Sequence, residues 1–499
     1  MNDLVSLSAV EMRSLIAKKD VSPVDLVEAC IARIERINPA ANAIAATCYD
    51  RARDEAKHAE QALVRGDGLG LLHGLPIGIK DIEDTAGLLS TYGSPLYRNH
   101  VPNKDAAIVA RLRAAGAIIV GKTNIPEMGA GANTRNPVWG ATGNPFSPLL
   151  TAGGSSGGSA AALATDMLPL CTGSDTGGSL RIPAAYCGVV GLRPSVGLVP
   201  NQRKPLGWSP ISVVGPMARS VADLRLQLAA MVGLHESDPL SYADTPERYL
   251  ESAPADLSAL RVAWTEDFGV CAVDPAIRSA FREKIASIEH WFATCEPLAI
   301  DLGEAHRTFD VIRAEAFVAG FQDVYERNRD ALASTVRSNY EMGAALSLNE
   351  VARAQAAQTK IFHAFQEALR QYDILLSPVA PVSPFPWARA YVDRIGDVAL
   401  ENYYRWIALT YVVTLATNPA LSLPCGMDHL GMPFGLQIVG KFRGDRELLS
   451  IAAALESEFC AREDLRRSRP DIEGLPASVA ELRSVVTAPS DRYVRGTIC

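Results

Sequence analysis

The chain neither pairs nor clusters its cysteines. The nine of them, at 30, 48, 171, 187, 271, 295, 425, 460 and 499, are odd in number and never fall in a CxxC unit. That scatter argues against a disulfide framework and a thiolate zinc site, and reads as reduced thiols. The eight histidines form no HExxH or comparable cluster, so no metal and no cofactor is expected. No apolar run approaches the ~18 residues of a membrane span. The opening MNDLVSLSAVEMRSL has no basic segment ahead of an apolar core, so a secretory signal is not expected and the cytoplasm is the expected compartment. Positive charge is in short supply too: the formal net charge is −8, which argues against a nucleic-acid surface. Internal repeats and low-complexity linkers are missing.

What remains is globular, with 48% hydrophobic and 21% charged residues in 499. Residues 1–66 read as a helical arm packed on the core. Ser8 and Glu11 fit a capping box, Ser22-Pro23 opens a second helix that Asn38-Pro39 stops, and Tyr49 to Val64 is a third. The pattern then changes to strand (75–82), helix (106–115) and strand (117–120), which predicts an α/β fold: one large domain over 67–499, a central mixed β-sheet covered by helices on both faces. A helical insertion is expected at about 236–370, and strands return at 375–381 and 435–440, followed by a helix and a polar tail.

Between Thr151 and Ser195 stand two glycine–serine turns, Gly153-Gly154-Ser155-Ser156-Gly157-Gly158-Ser159 and Gly173-Ser174-Asp175-Thr176-Gly177-Gly178-Ser179. Flexible linkers have such composition, but these two differ in detail and are flanked by apolar segments. Turns of this kind present hydroxyls and bare backbone N–H groups to one point, as acyl transfer requires. Two motif matches are decoys. Gly116 to Thr123 satisfies GxxxxGK[ST], but its variable residues are themselves a strand and Asn124-Ile125-Pro126 follows where a phosphate loop needs a helix. Gly153 to Gly157 satisfies GxSxG, but Asn144 to Pro148 ahead of it does not read as the strand of a nucleophile elbow, and no later histidine has a distinctive setting. Without a histidine base, lysine is the substitute, effective once burial favours its neutral form. Lys80, the one charge in an apolar strand with Asp81 beside it, qualifies; taken alone it also reads as a surface lysine at a strand end.

Three segments together resemble the amidase signature family: Gly74-Leu-Pro-Ile-Gly-Ile-Lys80-Asp81, the run 153–159, and Gly173 to Pro183. The spacing is similar as well, 75 residues from Lys80 to Ser155 and 24 more to Ser179. The strong resemblance covers about 70–200. It implies Ser179 as nucleophile, Ser155 after a cis peptide as the middle serine, and Lys80 as the base. It further implies an oxyanion hole from the N–H groups of Thr176, Gly177, Gly178 and Ser179, with Ser156, Asp175 and Arg181 in support. The activity implied is hydrolysis of a small-molecule amide, anilide, carbamate or ester through an acyl-enzyme.

The family also contains the glutaminase A subunit of glutamyl-tRNA amidotransferase, where TYGRVSR usually follows the nucleophile; Pro194-Ser195-Val196-Gly197-Leu198-Val199 departs from it. Malonamidase has an arginine three residues past the nucleophile, where this chain has Ile182. By family position Gly129 borders the acyl site. Phe317, Phe321, Tyr403, Tyr404 and Trp406 are candidates either for a pocket wall or for the core. A closed two-fold dimer is the commonest protein assembly, so a homodimer is the expected form of any self-association.

Overall fold

Within Ile118–Thr123, Ile119 joins one apolar cluster while its neighbours Ile118 and Val120 join a second. Successive strand side chains point to opposite faces, so a strand apolar on both must lie between two layers. The same split recurs at Leu170 and Cys171. The structure, a computed structural model describing residues 4–250 and 253–494, meets this demand with an 11-stranded mixed sheet flanked by helices. Its strands are β1 (Ile44–Thr47), β2 (Pro76–Lys80), β3 (Ile118–Thr123), β4 (Leu170–Asp175), β5 (Val190–Arg193), β6 (Val213–Ala218), β7 (Arg261–Trp264), β8 (Thr294–Pro297), β9 (Ile374–Pro378), β10 (Ala420–Met427) and β11 (Pro433–Val439). They lie in the order β1-β3-β2-β4-β6-β5-β10-β11-β9-β7-β8. Three neighbours just inside one edge, β3, β2 and β4, run parallel. Among the described residues no helix is long and apolar enough to cross a membrane.

The capping box at Ser8 and Glu11 forms, and Ser22 caps a helix that opens on Pro23. That second helix does not stop at Asn38-Pro39, as the sequence suggested, but continues to Ala41. Pro39 sits in the last turn, so its missing N–H forfeits one bond, and Asn42 closes the helix in the left-handed region at φ 48°. Asn38 Oδ1 then accepts from the N–H groups of Ala43 and Ile44, both at 2.8 Å, and turns the chain into β1. The arm expected to be all helix therefore supplies an edge strand, antiparallel to β3. The helical stretch 236–370 likewise supplies β7 and β8, parallel neighbours at the far edge. Four residues each, these strands are too short to show a period in sequence.

Helix Gly157–Ala164 packs close against the sheet. A Cβ on Gly158 would stand 2.2 Å from the backbone nitrogen of Asn124 and 2.5 Å from the carbonyl of Ala43. Only glycine permits that approach, and it brings the first serine turn onto the carboxyl ends of β2 and β4. Crevices beyond the carboxyl ends of parallel strands are the usual ligand sites of α/β sheets.

Candidate active site

Lys80 is the last residue of β2 and has no exposed surface. Its backbone N–H is held by Thr172 Oγ1 on β4 at 2.9 Å, and its Nζ donates to Ser155 Oγ at 2.7 Å and to Ser174 Oγ at 2.8 Å. Burial drives its pKa down to about 7, against the opposing charges of Glu83 and Asp175. An amine in that range is a competent proton acceptor near neutrality. The bland alternative, a surface lysine at a strand end, is excluded by the burial.

Ser155 follows Gly154 through a cis peptide bond. The next residue ties the two turns together: Ser156 N–H donates to the carbonyl of Ser179 at 3.3 Å, and Ser174 N–H reaches Ser156 Oγ at 3.5 Å. Ser155, Ser174 and Ser179 all open on one cavity of about 350 Å³. The Ser155 and Ser179 hydroxyls share that cavity without a hydrogen bond between them among the described residues.

The nucleophile loop is pinned from below by Asp175, fully buried at the end of β4. Its carboxylate accepts from Arg181 Nε and Nη2, both at 3.0 Å, and from Arg193 Nη1 at 3.3 Å. Burial alone would raise this carboxyl, but the two guanidiniums hold it down to about 2. Arg181 extends to Thr410 O, Gln437 Oε1 and Thr414 Oγ1, tying the loop to β11 and to helix Ala408–Leu415. Asp175 Oδ1 also accepts from the Gly178 N–H at 2.8 Å. This corrects one expectation: the Gly178 amide points down into its anchor and is not free for an oxyanion. Thr410 Oγ1 donates to the Gly177 carbonyl at 2.6 Å. The peptide plane joining Gly177 to Gly178 is thereby held at both ends. The amides of Thr176, Gly177 and Ser179 bond no partner among the described residues, and all three residues line the cavity.

Gly129 borders the same space, its φ of +69° suiting glycine and a Cβ there lying 3.7 Å from Ser155 Oγ. Of the five aromatics, Phe317, Phe321, Tyr403 and Tyr404 line the cavity. Trp406 does not; it is 1% exposed and stacked on Tyr186 in the core. The phosphate-loop decoy falls on β3, whose Lys122 is buried on Glu83 O, Thr85 and Ser90, 3.9 Å from Asp81. The GxSxG decoy is preceded by a short strand after all, Ser147–Thr151, but it pairs in a separate hairpin outside the main sheet.

A lysine–serine pair at the carboxyl ends of parallel strands, facing a second serine under free amides, is a recognisable set. A family model described as Amidase matches residues 25–449. The chain belongs to the amidase signature family. An acylamidase of Rhodococcus erythropolis is 33% identical over 457 residues, 90% of this chain and 95% of that one. The second A subunit of glutamyl-tRNA(Gln) amidotransferase in Clostridium acetobutylicum is 34% identical over 484 residues, 91% of this chain and 100% of that one. Among solved structures, a bacterial aryl acylamidase of the amidase signature family superposes with a TM-score of 0.85 at 26% identity, covering 90% of this chain and 96% of that one. The large central mixed sheet flanked by helices is the fold of these amidase signature neighbours.

Sequence reasoning missed Ser174, the second acceptor of the Lys80 ammonium, although it lies inside a quoted motif. It also missed Thr410, which no motif marks and which reaches the loop only through the tertiary fold.

Proposed function

We propose that the protein is a stand-alone amidase, hydrolysing a small-molecule amide through an acyl-enzyme on Ser179. The observation that carries this reading is the buried Lys80 Nζ, 2.7 Å from Ser155 Oγ, at the wall of a cavity that Ser179 shares. In this mechanism neutral Lys80 takes the proton of Ser155 as Ser155 takes that of Ser179. Ser179 Oγ attacks the carbonyl, and the oxyanion forms against the amides of Thr176, Gly177 and Ser179. The same relay returns the proton to the leaving amine, and water attacking the ester frees the acid. The aromatic walls at Phe317, Phe321, Tyr403 and Tyr404 favour an aryl or bulky group over a short aliphatic one, in line with the acylamidase relatives.

A second reading, a glutaminase component feeding ammonia to a partner, has support in the likeness to amidotransferase A subunits. The discriminating assay sets purified protein and a Ser179→Ala control against glutamine, short aliphatic amides, aryl anilides, long-chain amides and aryl carbamates. Serine-dependent cleavage of anilides or carbamates with glutamine untouched supports the amidase. Turnover of glutamine alone supports the amidotransferase component. Ser179→Ala should lose at least about a thousandfold in kcat while circular dichroism and melting stay those of the wild type; retained turnover removes Ser179 as nucleophile.

A further inference from the structure

The charged side chains of the cavity wall are unevenly matched. Arg203 pairs with Asp84 at 3.0 Å and Lys204 with Asp238 at 3.1 Å. Arg313, on helix Ala305–Asn328, has no carboxylate within 4.0 Å among the described residues, although it is only 8% exposed. Its Nε donates to Asn339 Oδ1 at 3.0 Å and its Nη2 to Tyr403 OH at 2.7 Å, both neutral acceptors. Phe317, Tyr403 and Tyr404 surround the guanidinium at 4.8 to 5.8 Å from their ring centroids. Of the acids near it on the same helix, Asp310 is already taken by Arg405 at 2.7 Å and Tyr404 OH at 2.8 Å, and Glu315 accepts from Gln355 Nε2 at 3.1 Å. A guanidinium has five N–H donors, so Arg313 retains unclaimed ones at the cavity wall.

Its position relative to the chemistry follows from the helix. Phe309, one turn earlier, comes within 3.0 Å of where a Cβ on Gly177 would stand, so that turn abuts the nucleophile loop. Four residues of helix rise about 6 Å, which sets Arg313 a short linker's length from the carbonyl site. Phe317 and Phe321 continue the same face at four-residue spacing.

We propose that Arg313 is the anion end of the substrate cavity, and that the preferred substrates are amides carrying a carboxylate separated from the scissile bond by a short apolar linker or one ring. The proposal rests on the amidase reading of that cavity. Buried rings and two neutral acceptors stabilise a cation without neutralising it, and a planar carboxylate is what a guanidinium fork fits best.

The test uses two matched pairs. Glutaranilate against valeranilide places the charge on the acyl side; 4-acetamidobenzoate against acetanilide places it on the amine side. In the wild type, kcat/KM should favour the carboxylate member of at least one pair by about tenfold to a hundredfold, chiefly through KM. Arg313→Gln should collapse that ratio towards unity, and Arg313→Lys should keep part of it. Equal turnover within both pairs, with Ser179-dependent cleavage of the neutral members, overturns the anion site and leaves the amidase standing. An unchanged ratio in a folded Arg313→Gln also overturns it. Failure of all four compounds to show Ser179-dependent cleavage removes both readings. Should Arg313→Gln not fold, calorimetric titration of Ser179→Ala protein with glutaranilate and valeranilide reads the same preference, and equal affinities again overturn it.

Discussion

At Lys80 a single side chain carries opposite demands from folding and from chemistry. The fold buries it completely, which disfavours the ammonium despite the two hydroxyls that accept from it; the relay needs the amine, which the same burial provides. With its pKa at about 7, kcat/KM should rise through neutrality and level off above it. Lys80→Ala should lose that step along with about 10²- to 10⁴-fold in rate, a loss that eases as pH rises. Stability carries the same signature. Between about 7 and the ordinary 10.5, the unfolded chain holds a proton on this lysine that the folded chain does not. Folded stability must therefore climb with pH across that window. Urea midpoints of wild type and Lys80→Met should diverge in the wild type's favour over it, whereas a constant difference would give Lys80 an ordinary pKa. Asp175, held down to about 2, stays ionised throughout and adds nothing to the profile. The residues named from the motifs, Lys80, Ser155, Ser156, Asp175, Ser179 and Arg181, do meet in space, because local runs of glycine and serine carry much of the geometry. The Gly178 expectation failed for a reason no motif displays: the direction of one N–H depends on a carboxylate three residues earlier and on two arginines that fix it.

Elements reach the site in pairs that are distant in sequence. Helix Ala408–Leu415 fixes the nucleophile loop through Thr410, whose hydroxyl bonds the Gly177 carbonyl while its own carbonyl accepts from Arg181. Glycine at 178 is required there, at φ +132° with a Cβ position 2.2 Å from Thr410 Oγ1. Thr410→Val keeps the shape and removes the donor. It should lower kcat by about tenfold to a hundredfold with KM little changed, since misplaced amides weaken only the developing oxyanion. An unchanged kcat would show that Asp175 alone orients the loop. Helices with caps were legible from sequence because their signals are local: Ser8 with Glu11, and Ser22 with Pro23. Strands β1, β7 and β8 were not, since four residues at or next to a sheet edge take their conformation from the strands beside them. The wall of the cavity was half legible. Phe317, Phe321, Tyr403 and Tyr404 line it, but Trp406, two residues past Tyr404, is buried against Tyr186 instead, a distinction set by tertiary packing.

Over the whole molecule, the stretch after residue 460 reads as a polar tail and behaves as a clasp. It returns to the first hundred and fifty residues: Arg36 bonds Glu473 at 2.8 and 2.9 Å, Val479 N–H donates to Pro39 O at 3.1 Å, and Thr487 N–H to Pro137 O at 2.9 Å. Leu482 is fully buried against Ala141 and Trp387, and Asn133, on the loop that leads into the first serine turn, bonds the carbonyl of Trp387 at 2.9 Å. Surface charge pairs such as Arg36–Glu473 contribute little, so the clasp depends on its apolar contact. Leu482→Ala should therefore cost about 2–5 kcal/mol, the range for emptying a core site. The comparison is Leu430→Ala, where the side chain is 64% exposed and the cost should stay within about 0.5 kcal/mol. Both are measured by chemical denaturation with intrinsic fluorescence. A drop for Leu482→Ala in one unbroken transition means the clasp folds with the sheet that carries the site. Equal midpoints for the two variants would mean that the tail lies on a finished fold and holds nothing in place.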